Sequence, residues 1–223
     1  SAIHFTPEVA KQAAQVDIYQ RSAPWILHKL DREYPEWEKR FFRRFPARIS
    51  LSRLFFLSVF ELLTYGFTGR HWVLKPMMKA ANAYRKKELG DHPQLQAKAT
   101  PDYDIGCKRA LFTNDWYPTL KRANVELIHG DAPRVTSNGL VDREGRERPA
   151  DVIIWGTGFK PLDFVAPMKI FGLEGRELSE IWGDRPEAYL GTTVSGFPNM
   201  FIMYGPNNNQ GAGSVTYSNE CQY

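Results

Sequence analysis

Two adjacent cations, Lys108 and Arg109, stand directly after Gly106-Cys107 in "GCKRALFTNDWYP". On a loop, such a pair can address two different anions. Arginine keeps its charge and offers a planar fork of donors, whereas lysine is a mobile point charge. The competing reading is a solvated surface pair. A third cation, Arg21, stands next to Ser22 at the end of "AQVDIYQRS". There a predicted helix is followed by a predicted strand. In a dinucleotide-binding fold the end of the second strand faces the adenosine ribose; an acid there favours NAD, and a cation accommodates the 2′-phosphate of NADP. Arg21 and Ser22 therefore point to NADPH, against an exposed arginine at a strand end.

Two glycine turns extend the set. In "ADVIIWGTGFKP" the apolar run Val152 to Trp155 stops at Gly156-Thr157-Gly158. This pattern predicts a buried strand of a parallel sheet, with glycines where the chain leaves its carboxyl end. Ligands of open α/β sheets bind at such ends. "MYGPNNNQGAGS" follows a predicted strand, Met200 to Tyr204, and precedes a predicted helix. Its glycines let backbone approach a ligand, and a helix start offers free N–H groups to an electronegative atom. A plain surface loop is the alternative. Asp115 is either a catalytic acid or the cap of a helix over Trp116 to Arg122.

The elements that must position these residues follow from the pattern. Thr6-Pro7-Glu8 reads as a helix start, with the helix running to about Ala14. Val16 to Tyr19 and Val125 to His129 read as strands. Helical periodicity over Tyr34 to Ala99, broken at Pro46, Gly66–Gly69, Pro76 and Gly90–Pro93, predicts a helical insertion of three or four helices. Turns at Ser137-Asn138-Gly139 and Arg143-Glu144-Gly145 predict a β-meander. The apolar stretch Leu54 to Phe67 contains Glu61, is too short to span a bilayer, and reads as a buried or partly buried helix. A membrane-surface helix beside the basic run Lys39, Arg40, Arg43 and Arg44 is the other reading.

Composition sets outer bounds. The 223 residues suffice for one large or two small domains. The net charge of +4 suits an anionic cofactor as well as a nucleic acid and decides neither alone. Cys107 and Cys221 form no disulfide framework, and the five histidines show no metal-ligand spacing, so no metal is expected. No signal peptide is visible, and a cytoplasmic location is expected.

Taken in order, these segments resemble the flavin-dependent Baeyer–Villiger monooxygenases, particularly the branch containing 4-hydroxyacetophenone monooxygenase. "SAIHFTPEVAKQAAQVDIYQRSAPW" is similar to the segment after the first glycines of the family's NADPH motif GxGxSA, with Ser1 and Ala2 as its last residues. "GCKR" resembles the loop carrying the active-site arginine. "DVIIWGTGF" resembles the ATG-type segment linking the NADPH and FAD domains, with Gly156 where alanine is usual. "GFPNMFIMYGPNNNQGAGS" resembles the second half of the FAD domain. The N-terminal FAD glycine motif and the family fingerprint are absent, so the chain is expected to be part of a longer enzyme and inactive alone.

The resemblance implies an α/β fold, a partial two-dinucleotide-binding flavoprotein with a helical insertion and a β-meander. Residues 1–33 and 105–158 would form the NADPH domain, 34–104 the insertion, and 159–223 the C-terminal part of the FAD domain. It implies FAD and NADP as cofactors, and Baeyer–Villiger oxidation of a ketone or aldehyde by O₂ through a C4a-peroxyflavin. Arg109 would be catalytic. Lys108, Arg21 and Ser22 would take the 2′-phosphate. Gly156, Thr157, Gly158, Gly205, Pro206, Asn207, Gly213, Ser214 and Val215 would lie against the cofactors. No nucleic-acid partner and no transmembrane segment are implied, and the oligomeric state is left open. N- or S-oxygenation with the same cofactors, and a non-catalytic module that binds a partner or membrane surface, are the rival functions.

Overall fold

The computed structural model describes residues 2–131, 134–208 and 213–223. Two compact units are present: Ser1–Leu51 with Tyr65–Gly156, and Ser52–Thr64 with Thr157–Tyr223. The first unit opens with α1 (Ala2–Gln12), β1 (Val16–Gln20), β2 (Ile26–Leu27) and α2 (Glu36–Arg44). The long helix α3 (Ala47–Phe67) runs through residues of both units. The first unit continues with α4 (Lys75–Leu89), α5 (Pro93–Lys98), β3 (Leu111–Phe112), α6 (Trp116–Leu120) and β4 (Val125–His129). It ends in the short strands β5 (Arg134–Val135), β6 (Gly139–Val141) and β7 (Glu147–Pro149). The second unit holds α7 (Leu178–Trp182) and α8 (Val215–Gln222).

β1 and β4 pair in parallel, from Val16 opposite Val125 to Gln20 opposite His129. β2 and β3 also pair in parallel, with Ile26 opposite Leu111. One core serves both ladders. Ile3 of α1, Ile26 of β2, Tyr84 and Leu89 of α4, Trp116 and Tyr117 of α6, and Leu127 of β4 are buried together. β5, β6 and β7 form the expected antiparallel meander. Gly139 is required there, because a Cβ would collide with the Arg148 carbonyl across the ladder.

α1 starts earlier than its capping signal, at Ala2, and carries Pro7 inside. Ile3, Thr6, Pro7 and Ala10 form one buried stripe at helical spacing. Burial of Ile3 outweighs the local preference for starting at Thr6. Three other expectations are corrected. Val152 to Trp155 is no strand: Val152 is 75% and Trp155 70% exposed. A parallel strand needs a neighbour to complete its ladder, and no described strand lies alongside. Met200 to Tyr204 is irregular, and Tyr204 ends the stretch with a positive φ of 58°. Leu54 to Phe67 belongs to a helix with only Gly66 buried. Its apolar residues lie all around the axis, so no single stripe directs one face to a core.

In the second unit Leu178, Trp182 and Phe197 make a small separate core. The Trp182 indole donates to the Glu187 carbonyl at 2.8 Å. The expected helix at the chain's end is α8. The Ser214 hydroxyl caps it by accepting from the Tyr217 N–H at 3.3 Å, and Arg53 is ion-paired with Glu220 on it.

Candidate functional site

β1 ends at Gln20, and the chain turns through Arg21 and Ser22 before re-entering the fold as β2. Because β2 and β3 are parallel and in register at Ile26 and Leu111, the loops leading into them lie at the same end of the ladder. The Leu111 N–H donates to the Trp25 carbonyl at 2.9 Å. The second loop therefore delivers Lys108 to Ser22: the lysine Nζ donates to the serine Oγ at 2.7 Å. Nζ also sits over the Tyr103 ring, 4.4 Å from its centroid. Tyr103 is held in turn, since the buried Trp25 indole donates to its carbonyl at 2.8 Å. Gly106 makes the turn possible. Its φ is +106°, and a Cβ would come within 2.9 Å of the Phe67 ring.

Lys108, Arg109 and Arg21 are all exposed, and among the described residues none of the three is ion-paired. The loops thus gather three cations, a hydroxyl and an aromatic face at the carboxyl end of β1. Residues of these types can together recognise a dianionic phosphate.

A second pairing lies in the same unit. A Cβ on Gly156 would be 3.8 Å from Ala2 Cβ, so the first glycine of the Gly156–Gly158 turn adjoins the start of α1. The free N–H groups of a helix start favour an anion. Ser1 lies outside the described residues. Thr157 and Gly158 are exposed, and Gly158 has φ +104° with open space around it.

In the second unit Gly205 and Pro206 are buried. A Cβ on Gly205 would collide with the Gly191 carbonyl, so packing within the unit already requires that glycine. Asn207 is exposed. Gly213 has φ +119° and leads into the Ser214 cap, and Val215 opens α8 exposed. Residues 209–212 of the same loop lie outside the described set. Asp115 heads α6, but its side chain makes no cap bond; its N–H donates to Thr113 Oγ1 at 3.3 Å instead.

Sequence reasoning missed Tyr103 and Arg148. Tyr103 has no motif around it, and only the fold brings its ring under Lys108. Arg148 joins the meander to the β1–β4 ladder. Its guanidinium donates to Glu126 (2.7 and 3.0 Å), Asp17 (3.2 Å) and Asp142 (3.3 Å). The hydrogen bond from Arg148 holds Glu126 below the usual carboxylate range. For Asp142 burial acts upward, but hydrogen bonds from the Arg146 amide and Arg148 outweigh it and its pKa is lowered. Arg148 itself is pushed further up, first by its bond to Glu126.

No family model matches the chain. A Baeyer–Villiger monooxygenase of Pseudomonas aeruginosa is 46% identical over 222 residues, covering 100% of this chain and 42% of that protein. Another from Streptomyces coelicolor is 34% identical over 222 residues, covering 100% of this chain and 43% of that protein. Over its full length the chain is thus similar to Baeyer–Villiger monooxygenases. It spans less than half the length of these relatives. The fold agrees. An oxidised steroid monooxygenase bound to NADP superposes with TM-score 0.72 at 25% identity, covering 97% of this chain and 48% of that one. OTEMO in complex with FAD and NADP superposes with TM-score 0.75 at 21% identity, covering 99% and 48%. The α/β flavoprotein fold expected from the sequence is therefore the fold observed.

Proposed function

We propose that this chain is part of an FAD- and NADPH-dependent monooxygenase that inserts one oxygen atom of O₂ into a ketone or aldehyde, giving an ester or lactone. The Lys108–Ser22 contact beside Arg21 is the observation that carries the reading. These cations have no carboxylate partner among the described residues, which leaves their charge available to a nucleotide phosphate. Bound FAD, reduced by NADPH, supplies the oxygen chemistry. The chain's own residues bind and orient. Arg21 and Lys108 hold the 2′-phosphate, with Ser22 and the Tyr103 ring fixing the lysine ammonium. The start of α1, with Ala2 and Gly156, takes the pyrophosphate. Arg109 keeps a permanent cation for the negative charge that develops on the transferring oxygen. Thr157, Gly158, Gly205, Pro206, Asn207, Gly213, Ser214 and Val215 let backbone approach the flavin. Residues 1–33 and 105–158 act as the NADPH domain, 34–104 as a helical insertion in it, and 159–223 as part of the FAD domain. Both cysteines are free, which suits the cytoplasm.

The test is product analysis with the full-length, flavin-loaded enzyme. Supplied with NADPH and O₂ and offered a ketone, an amine and a sulfide, it should form ester or lactone in step with NADPH consumption. N-oxide or sulfoxide without ester would assign N- or S-oxygenation instead.

A further inference from the structure

Trp25 holds the loop of Lys108 at both ends. Its side chain is buried, with the residue only 6% exposed. The indole N–H donates to the Tyr103 carbonyl at 2.8 Å, where the loop starts. The Trp25 carbonyl accepts from the Leu111 N–H at 2.9 Å, where the loop ends. Between these anchors the chain is pinned from within. Ile105 is buried, the Cys107 N–H closes a turn onto the Asp104 carbonyl at 3.1 Å, and a Cβ on Gly106 would crowd Leu74 as well as Phe67. All of these residues belong to the first unit.

The two bonds differ in kind. The main-chain bond leads into the β2–β3 ladder, and any residue at position 25 would keep it. The indole bond depends on tryptophan. A buried indole N–H needs an acceptor, and this one takes the carbonyl of the residue whose ring lies 4.4 Å from Lys108 Nζ. The bond therefore fixes the ring, and the ring together with Ser22 Oγ fixes the ammonium. A lysine side chain loses much rotamer freedom when a ligand orders it, and one already held in place loses less.

Resting on the phosphate reading above, we infer that Trp25 is a positioning residue for cofactor choice. Its indole N–H strengthens the preference for a 2′-phosphate by holding Tyr103 beneath Lys108, and it acts through that lysine rather than on the nucleotide. Without the donor the Tyr103 carbonyl loses its buried partner. The start of the loop is then released, and the ring no longer holds the ammonium beside Ser22.

The test is competition against NADPH by adenosine 2′,5′-bisphosphate and by 5′-AMP in the full-length, flavin-loaded enzyme. Trp25→Phe removes the donor and keeps an aromatic side chain. Replacement of Trp25 by benzothienylalanine removes the donor and keeps the shape of the indole, which covers the case in which Trp25→Phe fails to fold. In either variant the advantage of the bisphosphate over AMP should fall about two- to tenfold, the equivalent of one net hydrogen bond. Inhibition by AMP itself should stay native. Added to Lys108→Ala, either replacement should cost no further advantage, because both changes act through the same ammonium. Tyr103→Phe keeps ring and carbonyl and should keep the native advantage, whereas Tyr103→Leu should lower it as Trp25→Phe does. An undiminished advantage in the benzothienylalanine variant, or a loss that adds fully to that of Lys108→Ala, overturns the inference and leaves the phosphate reading standing. Equal competition by the two nucleotides in the native enzyme overturns both.

Discussion

Arg148 and the loop pair Lys108–Arg109 are cations of one unit in opposite circumstances. Arg148 meets three carboxylates, and its side chain is 16% exposed beside an Asp142 that is 2% exposed. Lys108 meets only a hydroxyl and an aromatic ring, and Arg109 is in no ion pair among the described residues. A cation already matched by three carboxylates, one of them the buried Asp142, has little capacity left for a ligand, and removing it leaves that buried charge stranded. A cation held by neutral partners keeps its charge available. The contrast separates positive charge that joins the fold from positive charge left available for an anion.

The largest expected effect lies on the unpaired side. Arg109→Ala in the full-length enzyme should lower ester or lactone formation roughly 100- to 1,000-fold, the usual cost of losing one preorganised electrostatic stabiliser. Flavin reduction by NADPH should continue, so product yield per NADPH falls; near-native yield would show that Arg109 is a surface residue. On the paired side, Arg148→Met should cost about 2–3 kcal/mol in urea unfolding while NADPH affinity stays near native. The same network sets an acid limit. Glu126 and Asp142 have lowered pKa values, so their stabilisation is present above the unfolded carboxylate range near ~4 and is lost as pH falls through the lowered native values. Arg148→Met should flatten this loss; an unchanged acid slope would mean that the network does not control it.

Smaller effects sharpen the contrast. Arg21→Ala should weaken NADPH binding by about 10- to 150-fold and leave NADH almost unchanged, as loss of one charge-assisted phosphate contact implies. Lys108→Ala should raise the NADPH dissociation constant only about fivefold, because its ammonium is exposed. Product yield per NADPH should stay native in that variant, in contrast to Arg109→Ala. Equal coupling losses in both would merge the two roles.

Sequence carried the two strands of the β1–β4 ladder, though not their pairing, and the meander, because these depend on short-range signals. Val16 to Gln20 and Val125 to His129 are apolar-rich runs bounded by turn residues, and Gly139 and Gly145 mark the meander turns. It carried the candidate loop only as far as residue types. The Ser22–Lys108 contact depends on the register of β2 and β3, and Tyr103 and Trp25 enter through tertiary packing. The failures share a physical cause. Val152 to Trp155 has the composition of a strand but no neighbouring strand. Phe55 and Phe56 have the composition of a core, but nothing among the described residues covers them. Local pattern states what a segment can bury, and only its neighbours decide whether burial occurs.

The central claim is that the loop at the carboxyl end of β1 reads a ribose 2′-phosphate. Competition against NADPH by adenosine 2′,5′-bisphosphate and by 5′-AMP isolates that group from the nicotinamide and the second phosphate. The bisphosphate should compete at least about tenfold better than AMP. That advantage should shrink in Lys108→Ala and shrink further in Arg21→Ala. Equal competition by the two nucleotides in the native enzyme would contradict the account.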